Sequence, residues 1–212
     1  MTTIAVIDYG MGNLRSVAKA LEHVAPSAKV IVTSDPKVVG SADRVVFPGQ
    51  GAMPDCMREM DRFGLRAALH ESAGRKPFLG LCIGLQMLFE RSEEGNIAGL
   101  GILAGMVRRF PDAAMHRPDG SRLKVPHMGW NQVAQVKPHP MWQGIKDGER
   151  FYYVHSYYAD PIDRHCVAGE TEHGVPFTAA VARDNIFAVQ FHPEKSQAHG
   201  LRLLANFVAW NP

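Results

Sequence analysis

Short apolar runs that alternate with helical patterns limit the folds open to the first ninety residues. Apolar on both faces, these runs are typical of buried parallel strands, and they occupy residues 3–8 (TIAVID), 29–34 (KVIVTS), 43–49 (DRVVFPG) and 76–81 (KPFLGL). Helical patterns follow at 13–24, with Leu14, Val17, Ala18 and Leu21 on one stripe, at 55–73, weakened at Gly64, and from residue 83 to 90. This β-α-β alternation predicts an open, mostly parallel sheet of flavodoxin-like α/β type, with helices on both faces.

After Gly95 the rhythm changes to strand-like segments separated by turns. They lie at residues 105–110, 150–158, 166–172, 177–184 and 186–191. Their spacing predicts an antiparallel, strand-rich half that extends or flanks the first sheet. Residues 111–124 read as a surface hairpin or loop, and residues 198–210 as a closing helix. We expect a single domain over residues 1–212.

Composition excludes several classes of protein. The formal net charge is only +2, from 23 basic and 21 acidic side chains, which is far from the clustered basic surface of a nucleic-acid-binding protein. The first residues, MTTIAVIDYG, lack the basic start of a signal peptide, and no apolar stretch approaches the roughly 20 residues that cross a bilayer. Three widely spaced cysteines argue against a disulfide framework. A cytoplasmic protein with reduced thiols is expected.

Two glycine-containing turns follow predicted strands. Gly10-x-Gly12 imitates a dinucleotide fingerprint, but Arg15 stands where the third glycine is needed, so we do not expect a nicotinamide cofactor. Residues 48–51, Pro-Gly-Gln-Gly, follow the third strand. The N–H groups of such a turn can stabilise an anion, and beside a nucleophile they would form an oxyanion hole.

Cys82 lies between Gly80 and Gly84, after a strand and before a helical pattern, which is the context of a nucleophile elbow. The dipole of the following helix would favour the thiolate. The motif alone fits an inert, buried cysteine equally well.

A second motif supplies a base. His192 and Glu194 flank Pro193 at the end of the apolar run 186–191. Side chains two residues apart on an extended chain point to the same side, so Glu194 can hold one imidazole nitrogen while the other faces a thiol. Since both motifs end strands of a parallel sheet, they can converge at its carboxyl edge.

Taken in order, Pro-Gly-x-Gly, Gly-x-Cys-x-Gly-x-Gln and His-Pro-Glu resemble the class I, triad-type glutamine amidotransferases, over almost the whole chain. The stretches DYGMGN (8–13), PHMGWN (126–131) and FYYVHSYY (151–158) are similar to those of the glutaminase subunits of imidazole glycerol phosphate synthases, in histidine biosynthesis.

This resemblance implies a role for each motif and a partner. It implies glutamine hydrolysis by Cys82, with His192 as base and Glu194 as its orienting partner, and no metal or organic cofactor. The implied oxyanion donors are Gly49, Gln50, Gly51 and Ile83, and the implied glutamine contacts are Gln86, His155, Ser156 and Tyr157. A (β/α)8-barrel cyclase subunit would receive the ammonia, bound near Asn13, Trp130 and Lys195.

Other readings of the sequence remain at this stage. One is a glutaminase subunit of the same class that serves a different synthase. Another is a cysteine hydrolase of a related α/β fold, against which Gln86 and His-Pro-Glu argue. A third is a flavodoxin-like binding module in which Cys82 is inert.

Overall fold

A computed structural model describes residues 1–117 and 119–212. The elements of the first half, in chain order, are β1 (Thr3–Ile7), α1 (Leu14–Val24), β2 (Lys29–Thr33), α2 (Pro36–Ser41), β3 (Arg44–Phe47), α3 (Met53–Arg62), α4 (Arg66–Ala73), β4 (Phe78–Leu81), α5 (Ile83–Gln86), β5 (Phe89–Ser92), β6 (Ile97–Ala98) and β7 (Leu103–Arg109). Those of the second half are β8 (His127–Gln132), β9 (Ala134–Gln135), β10 (Arg150–His155), β11 (Tyr157–Pro161), β12 (Val167–Glu172), β13 (Pro176–Arg183), β14 (Ile186–Val189) and α6 (Gln197–Ala209). Short 3-10 helices lie at Asp112–Met115, Pro140–Trp142, Arg164–Cys166 and Pro193–Lys195.

The main sheet has the strand order β2-β1-β3-β4-β14-β13-β11-β7-β5-β6, and β12 also pairs with β13 and β9. Strands β2, β1, β3, β4 and β14 are mutually parallel, as the first-half pattern predicts. Strand β13 lies on the other side of β14 and is antiparallel to it. The pairings of β13 with β11 and of β11 with β7 are also antiparallel. The open, mostly parallel α/β sheet with an antiparallel extension is therefore confirmed.

Alternate residues of the central strands enter two separate apolar layers. On one face the strands pack under α1 and α6, with the participants Ile4, Val6, Val46, Leu79, Phe187, Val189, Leu21, Leu203 and Phe207. On the other face they pack under α2, α3 and α4, with the participants Ile7, Val45, Phe47, Phe78, Ile186, Val39, Met57, Met60 and Leu69. Because successive side chains of a strand point to opposite faces, strands that are apolar throughout require helices on both sides.

Several elements differ from the sequence expectation. The helix expected at 55–73 is two helices, because Gly64 takes a left-handed φ of +65° and its N–H bonds the Asp61 carbonyl, which ends α3. The helix expected from residue 83 is a single turn, α5, since Phe89 leaves it to pair with Leu103 in the sheet.

Two further differences lie near the site and at the surface. The segment 150–158 forms two strands, which bend at Ser156 from the separate two-stranded β8–β10 ribbon into β11 of the main sheet. Helix α2, which the sequence reading missed, begins at the Asp35 cap, whose carboxylate accepts from the Lys37 N–H. Residues 111–124, expected as a surface hairpin or loop, hold a 3-10 turn and an antiparallel bridge between His116 and Arg122, and Pro118 among them lies outside the described residues.

Candidate active site

Cys82 follows the buried strand β4 and adopts φ 55° and ψ −110°, a backbone conformation that a residue with a side chain rarely occupies. The Cys82 N–H donates to the Val189 carbonyl at 2.8 Å, which fixes the turn against β14. A Cβ atom on Gly84 would overlap the Phe47 carbonyl, so the backbones of α5 and β3 touch there. The turn thus has the strand–turn–helix geometry of a nucleophile elbow, which the glycine spacing predicts.

His192 and Glu194 lie beside the elbow, at the end of the neighbouring strand β14. His192 Nδ1 is 2.9 Å from Glu194 Oε1, and the two side chains are 3% and 2% exposed. The chain is a 3-10 turn at Pro193–Lys195 rather than extended, and Ser196 Oγ fastens it by donating to the His192 carbonyl at 2.6 Å. Because Nδ1 donates to the carboxylate, Nε2 is left for the sulfur.

The imidazole is poised to carry charge. Burial alone would disfavour the imidazolium, but the charge and hydrogen bond of Cys82, followed by those of Glu194, outweigh it and raise the pKa of His192 to about 10. The arrangement therefore favours an imidazolium beside the sulfur of Cys82, and this cation can supply a proton to a leaving group.

The turn at residues 48–51 is held from its buried side. Tyr9 Oη donates to the Pro48 carbonyl at 2.9 Å, and Cys56 Sγ contacts the Gln50 carbonyl at 3.4 Å. In a trans peptide the C=O and N–H groups point in opposite directions, so the Gly51 N–H points away from Cys56 and the core. Ile83, as the first residue of α5, has an N–H without an acceptor inside its helix. These groups are suited to bind an oxyanion.

Gln86 is 2% exposed, and its amide is oriented by two acceptors. Nε2 donates to the Tyr157 carbonyl at 2.8 Å and to Gln190 Oε1 at 3.0 Å. Gln86 Oε1 is buried and has no hydrogen-bond partner among the described residues. Since a buried acceptor without a partner is costly, this oxygen is suited to accept a donor from a ligand.

His155 lies at the inner wall, but both of its ring nitrogens bond within the chain. Nδ1 donates to the Tyr157 carbonyl at 2.8 Å, and Nε2 accepts from His127 Nδ1 at 3.0 Å. Asn131 Nδ2 lies 3.2 Å from His127 Nε2 and continues the chain of hydrogen bonds. Burial lowers the pKa of His155 to about 3 and that of His127 to about 4, so both are neutral. His155 therefore shapes the wall and has no ring nitrogen left for a ligand.

A cavity of about 400 Å³ opens over the sulfur, within the size range of small-molecule sites. Its lining residues are Gln50, Gly51, Cys82, Ile83, Gln86, Glu94, Pro126, Val154, His155, Ser156, Tyr157, His192 and Lys195. The sequence-predicted nucleophile, base, substrate contacts and most oxyanion donors thus meet in one place. Gly49, Glu194 and Asn13 line a much smaller space on the other side of His192.

The residues expected at a partner surface lie outside or at the rim of the cavity. Trp130 is 42% exposed on β8, so its side chain is not part of the core. Its ring meets Tyr152 edge-on at 6.1 Å, and Lys195 Nζ lies 5.9 Å from the centre of the same Tyr152 ring. Trp130 and Lys195 are therefore neighbours through Tyr152.

Sequence reasoning missed four residues of the site, namely Tyr9, Cys56, Glu94 and Gln190. Tyr9 lies within the DYGMGN stretch, but nothing in that stretch shows that its hydroxyl reaches the Pro48 carbonyl, 39 residues away. Gln86 and Gln190 are 104 residues apart in the chain, whereas Cys56 contacts the Gln50 carbonyl only six residues away. Glu94 lines the cavity and also accepts from the Met53 N–H at 2.8 Å. For Gln190, the sequence offered one signal, which was its position two residues before His192 at the end of the same strand.

Within residues 1–117 and 119–212, no group of three or more His, Cys, Asp or Glu side chains is arranged to hold a metal ion. None of the helices in the same ranges has the length and apolar character needed to span a membrane.

Comparison with known proteins agrees with this geometry. The chain is 69% identical over 212 residues to imidazole glycerol phosphate synthase subunit HisH of Aromatoleum aromaticum, covering 100% of both chains, and 69% identical over 210 residues to the HisH subunit of Dechloromonas aromatica, covering 99% of this chain and 97% of that one. Its fold is similar to that of PurLQS from Thermotoga maritima, with a TM-score of 0.71 at 16% identity, covering 98% of each chain. The family model for "Glutamine amidotransferase class-I" matches residues 5–210. The chain belongs to the class-I glutamine amidotransferase family.

Proposed function

We propose that this protein is the glutaminase subunit of imidazole glycerol phosphate synthase. It hydrolyses glutamine to glutamate and ammonia, and a cyclase subunit uses the ammonia to make imidazole glycerol phosphate and AICAR in histidine biosynthesis. The observation that carries the proposal is a strained cysteine beside a buried His–Glu pair, Cys82, His192 and Glu194, in a chain 69% identical to HisH subunits.

Cys82 is the nucleophile of the proposed reaction. Its thiolate attacks the side-chain amide carbon of glutamine and forms a tetrahedral oxyanion. The imidazolium of His192 gives its proton to the amide nitrogen, the carbon–nitrogen bond breaks, and ammonia leaves a γ-glutamyl thioester. Water then attacks the thioester while His192 takes its proton, and glutamate and the thiolate are released. Glu194 keeps the imidazole oriented and stabilises its cation.

The oxyanion is bound by backbone N–H groups in this proposal. Gly49, Gln50 and Gly51 supply donors from one side and Ile83 supplies a donor from the other. Tyr9 and Cys56 support the role of the turn, because they hold the Pro48 and Gln50 carbonyls on the buried side.

Recognition of glutamine rests on groups around the cavity. Gln86 Oε1 is the proposed acceptor for a donor group of the substrate, which would satisfy this buried oxygen. The carboxylate of Glu94 is the proposed partner of the α-ammonium group. The segment of His155, Ser156 and Tyr157 forms the wall against which the backbone end of glutamine lies.

The ammonia is passed to a (β/α)8-barrel cyclase subunit, with which the protein forms a heterodimer in the cytoplasm. Asn13, Trp130 and Lys195 are the proposed contacts with that subunit. Exposure of Trp130 beside Tyr152, and the place of Lys195 at the rim of the cavity, support this location. Residues 1–212 act as a single domain in this assembly.

An electrophilic glutamine analogue tests the proposal. The chain, alone and with the purified cyclase and its nucleotide ligand, is incubated with the analogue, and labelled peptides are identified by mass spectrometry. We expect labelling of Cys82, glutamate release from glutamine, and loss of both in Cys82→Ala. Imidazole glycerol phosphate should form only when both subunits and glutamine are present. Absence of labelling and of glutamate release in the complex would contradict the proposal and favour a binding module.

A further inference from the structure

Gln190 lies between Gln86 and the nucleophile, one residue beyond β14. Its side chain is fully buried, with 0% exposure. Its Oε1 accepts from Gln86 Nε2 at 3.0 Å, and its Nε2 lies 3.8 Å from Cys82 Sγ. The backbone N–H of Gln190 donates to the Ala179 carbonyl at 2.8 Å, so its position is fixed by the sheet.

A fixed carbonyl decides which way both amides point. The Tyr157 carbonyl can only accept, so the nitrogen end of Gln86 faces it. The second hydrogen of that nitrogen then requires an acceptor at Gln190, which places the oxygen end of Gln190 toward Gln86. The nitrogen end of Gln190 is left facing the sulfur of Cys82.

The polar atoms around the Cys82 sulfur stabilise its thiol and thiolate forms to different extents. The Val154 carbonyl, 4.0 Å from Sγ, can accept from a thiol but repels a thiolate. The Gln190 N–H group is a donor, and donors stabilise the charged form of a buried acid. On the side of the sulfur that Gln190 occupies, no solvent can replace the amide, because Gln190 is fully buried.

We propose that Gln190 is a catalytic residue of the glutaminase reaction, which donates a hydrogen bond to the Cys82 thiolate and fixes the amide of Gln86 with its oxygen toward the substrate. This role rests on the proposed function of the same site. It couples the nucleophile to substrate recognition through one buried amide pair.

Other titratable groups also face Cys82, and the test must separate their influence from that of Gln190. They come from the segment after β14, from the loop after β1, from α3 and β10, and from the cavity wall. They are His192, Glu194, Tyr9, Cys56, His155, Glu94 and Lys195. Substitution of Gln190 leaves every one of these groups in the protein.

The test follows alkylation of Cys82 by iodoacetamide as a function of pH, with the modified peptide identified by mass spectrometry. Wild-type protein is compared with Gln190→Met, which keeps the length without the amide, and with Gln190→Glu, which replaces the donor by a charge. Thr178→Val is the matched control, since Thr178 is 1% exposed on the neighbouring strand β13 and its hydroxyl has no partner among the described residues.

On the acid side of the profile, the pH at which alkylation of Cys82 is half-maximal is the midpoint of interest. We expect this midpoint to rise by about one pH unit in Gln190→Met, the size expected for a lost hydrogen bond to a charged group. Gln190→Glu should raise it further, because a carboxylate next to a thiolate opposes ionisation. In the complex with the cyclase, kcat/KM for glutamine should fall at least roughly tenfold in both variants, since about 1.4 kcal/mol corresponds to a factor of ten. Thr178→Val should leave midpoint and kcat/KM unchanged.

Circular dichroism and the thermal midpoint establish which Gln190 variant is folded, and either one decides the question. An unchanged alkylation midpoint in a folded variant would overturn the proposal, even if activity fell, because the fall would then come from altered packing. Alkylation needs no glutamine. If the alkylation midpoint rises in the Gln190 variants and glutamate is never released by the wild type, the proposed function fails while the role of Gln190 at the sulfur stands.

Discussion

Glu194 accepts a 2.9 Å hydrogen bond from Nδ1 of His192, and the environment of that imidazole raises its pKa to about 10. The second carboxylate oxygen, Glu194 Oε2, is buried without a partner among the described residues. A carboxylate in this position favours the cation strongly, because its charge is only partly satisfied elsewhere. The pair therefore keeps a proton on the imidazole until the leaving nitrogen of the proposed reaction takes it.

The nucleophile contributes more than the carboxylate to that proton affinity. We expect Cys82→Ala to lower the pKa of His192 by more than Glu194→Gln does, because Cys82 is the larger of the two raising causes and burial then dominates. Titration of the imidazole ring protons by NMR measures both shifts. His139, whose pKa burial lowers to about 4 and which contacts Phe187 and Trp210, is the internal control and should not move. Equal shifts in the two variants would contradict this reading.

The raised pKa of His192 also makes stability depend on pH. The folded chain keeps a proton that the unfolded chain, with its ordinary pKa of 6.5, releases. The contribution of His192 to stability is therefore full below about pH 6.5 and is lost as the pH rises through about 10. Urea unfolding of wild type and His192→Gln across this interval should show their free-energy difference shrinking toward alkaline pH. His139→Gln should show a constant difference there, since His139 is neutral throughout.

The hydroxyl of Tyr9 should matter to catalysis through the turn that it holds. Tyr9→Phe removes the donor to the Pro48 carbonyl, and we expect a loss of about 1–2 kcal/mol in stability together with a fall in kcat that exceeds any change in KM. Tyr153→Phe is the matched control, because the buried Tyr153 hydroxyl forms a 2.7 Å hydrogen bond with Thr171 Oγ1, and neither residue lines the cavity. It should lose similar stability with kcat retained. An unaltered kcat in Tyr9→Phe would show that the conformation of the turn in catalysis does not depend on this hydrogen bond.

Gly84 should tolerate no side chain. A Cβ there overlaps the Phe47 carbonyl, and because backbone cannot swing aside, Gly84→Ala should cost roughly 3 kcal/mol and abolish glutaminase activity. Gly40, on the exposed side of α2 with open space around it, provides the comparison. Gly40→Ala should stabilise the chain by up to about 1 kcal/mol and leave activity intact, since alanine is the better helix former. Thermal unfolding and glutamate release measure both, and a stable, active Gly84→Ala would refute the contact.

Much of the fold follows from local pattern. The buried parallel strands are apolar on both faces, which requires a layer of helices on each side, and both layers are present. Prediction failed where a distant partner decided the outcome. Residues 87–89 are apolar and fully buried, so they give no helical stripe, and the pairing of Phe89 with Leu103 ends α5 after one turn.

The site shows the same division. Cys82, His192 and Glu194 could be predicted because strand-end motifs of a parallel sheet converge at one edge. Tyr9 and Gln190 could not, since they contact the motif residues across 39 and 104 residues of chain, and the Cys56 contact to the Gln50 carbonyl is local but has no sequence signature. His155 was predicted to bind glutamine, and its place in the cavity wall agrees with the motif, but its bond to His127 could not be inferred from either stretch alone.

The two apolar layers have a consequence for the order in which activity can appear during folding. Ile83 and Leu85, which follow the nucleophile, pack into one layer, whereas Phe191, which precedes the base, packs with Phe151 in the other. Leu81, directly before Cys82, lies in the same layer as Phe191, so the elbow is anchored in both layers, and Cys82 and His192 take their native positions only when both layers have formed. Recovery of glutaminase activity is therefore a reporter of the last layer to form, and it should lag behind any spectroscopic signal that follows the first.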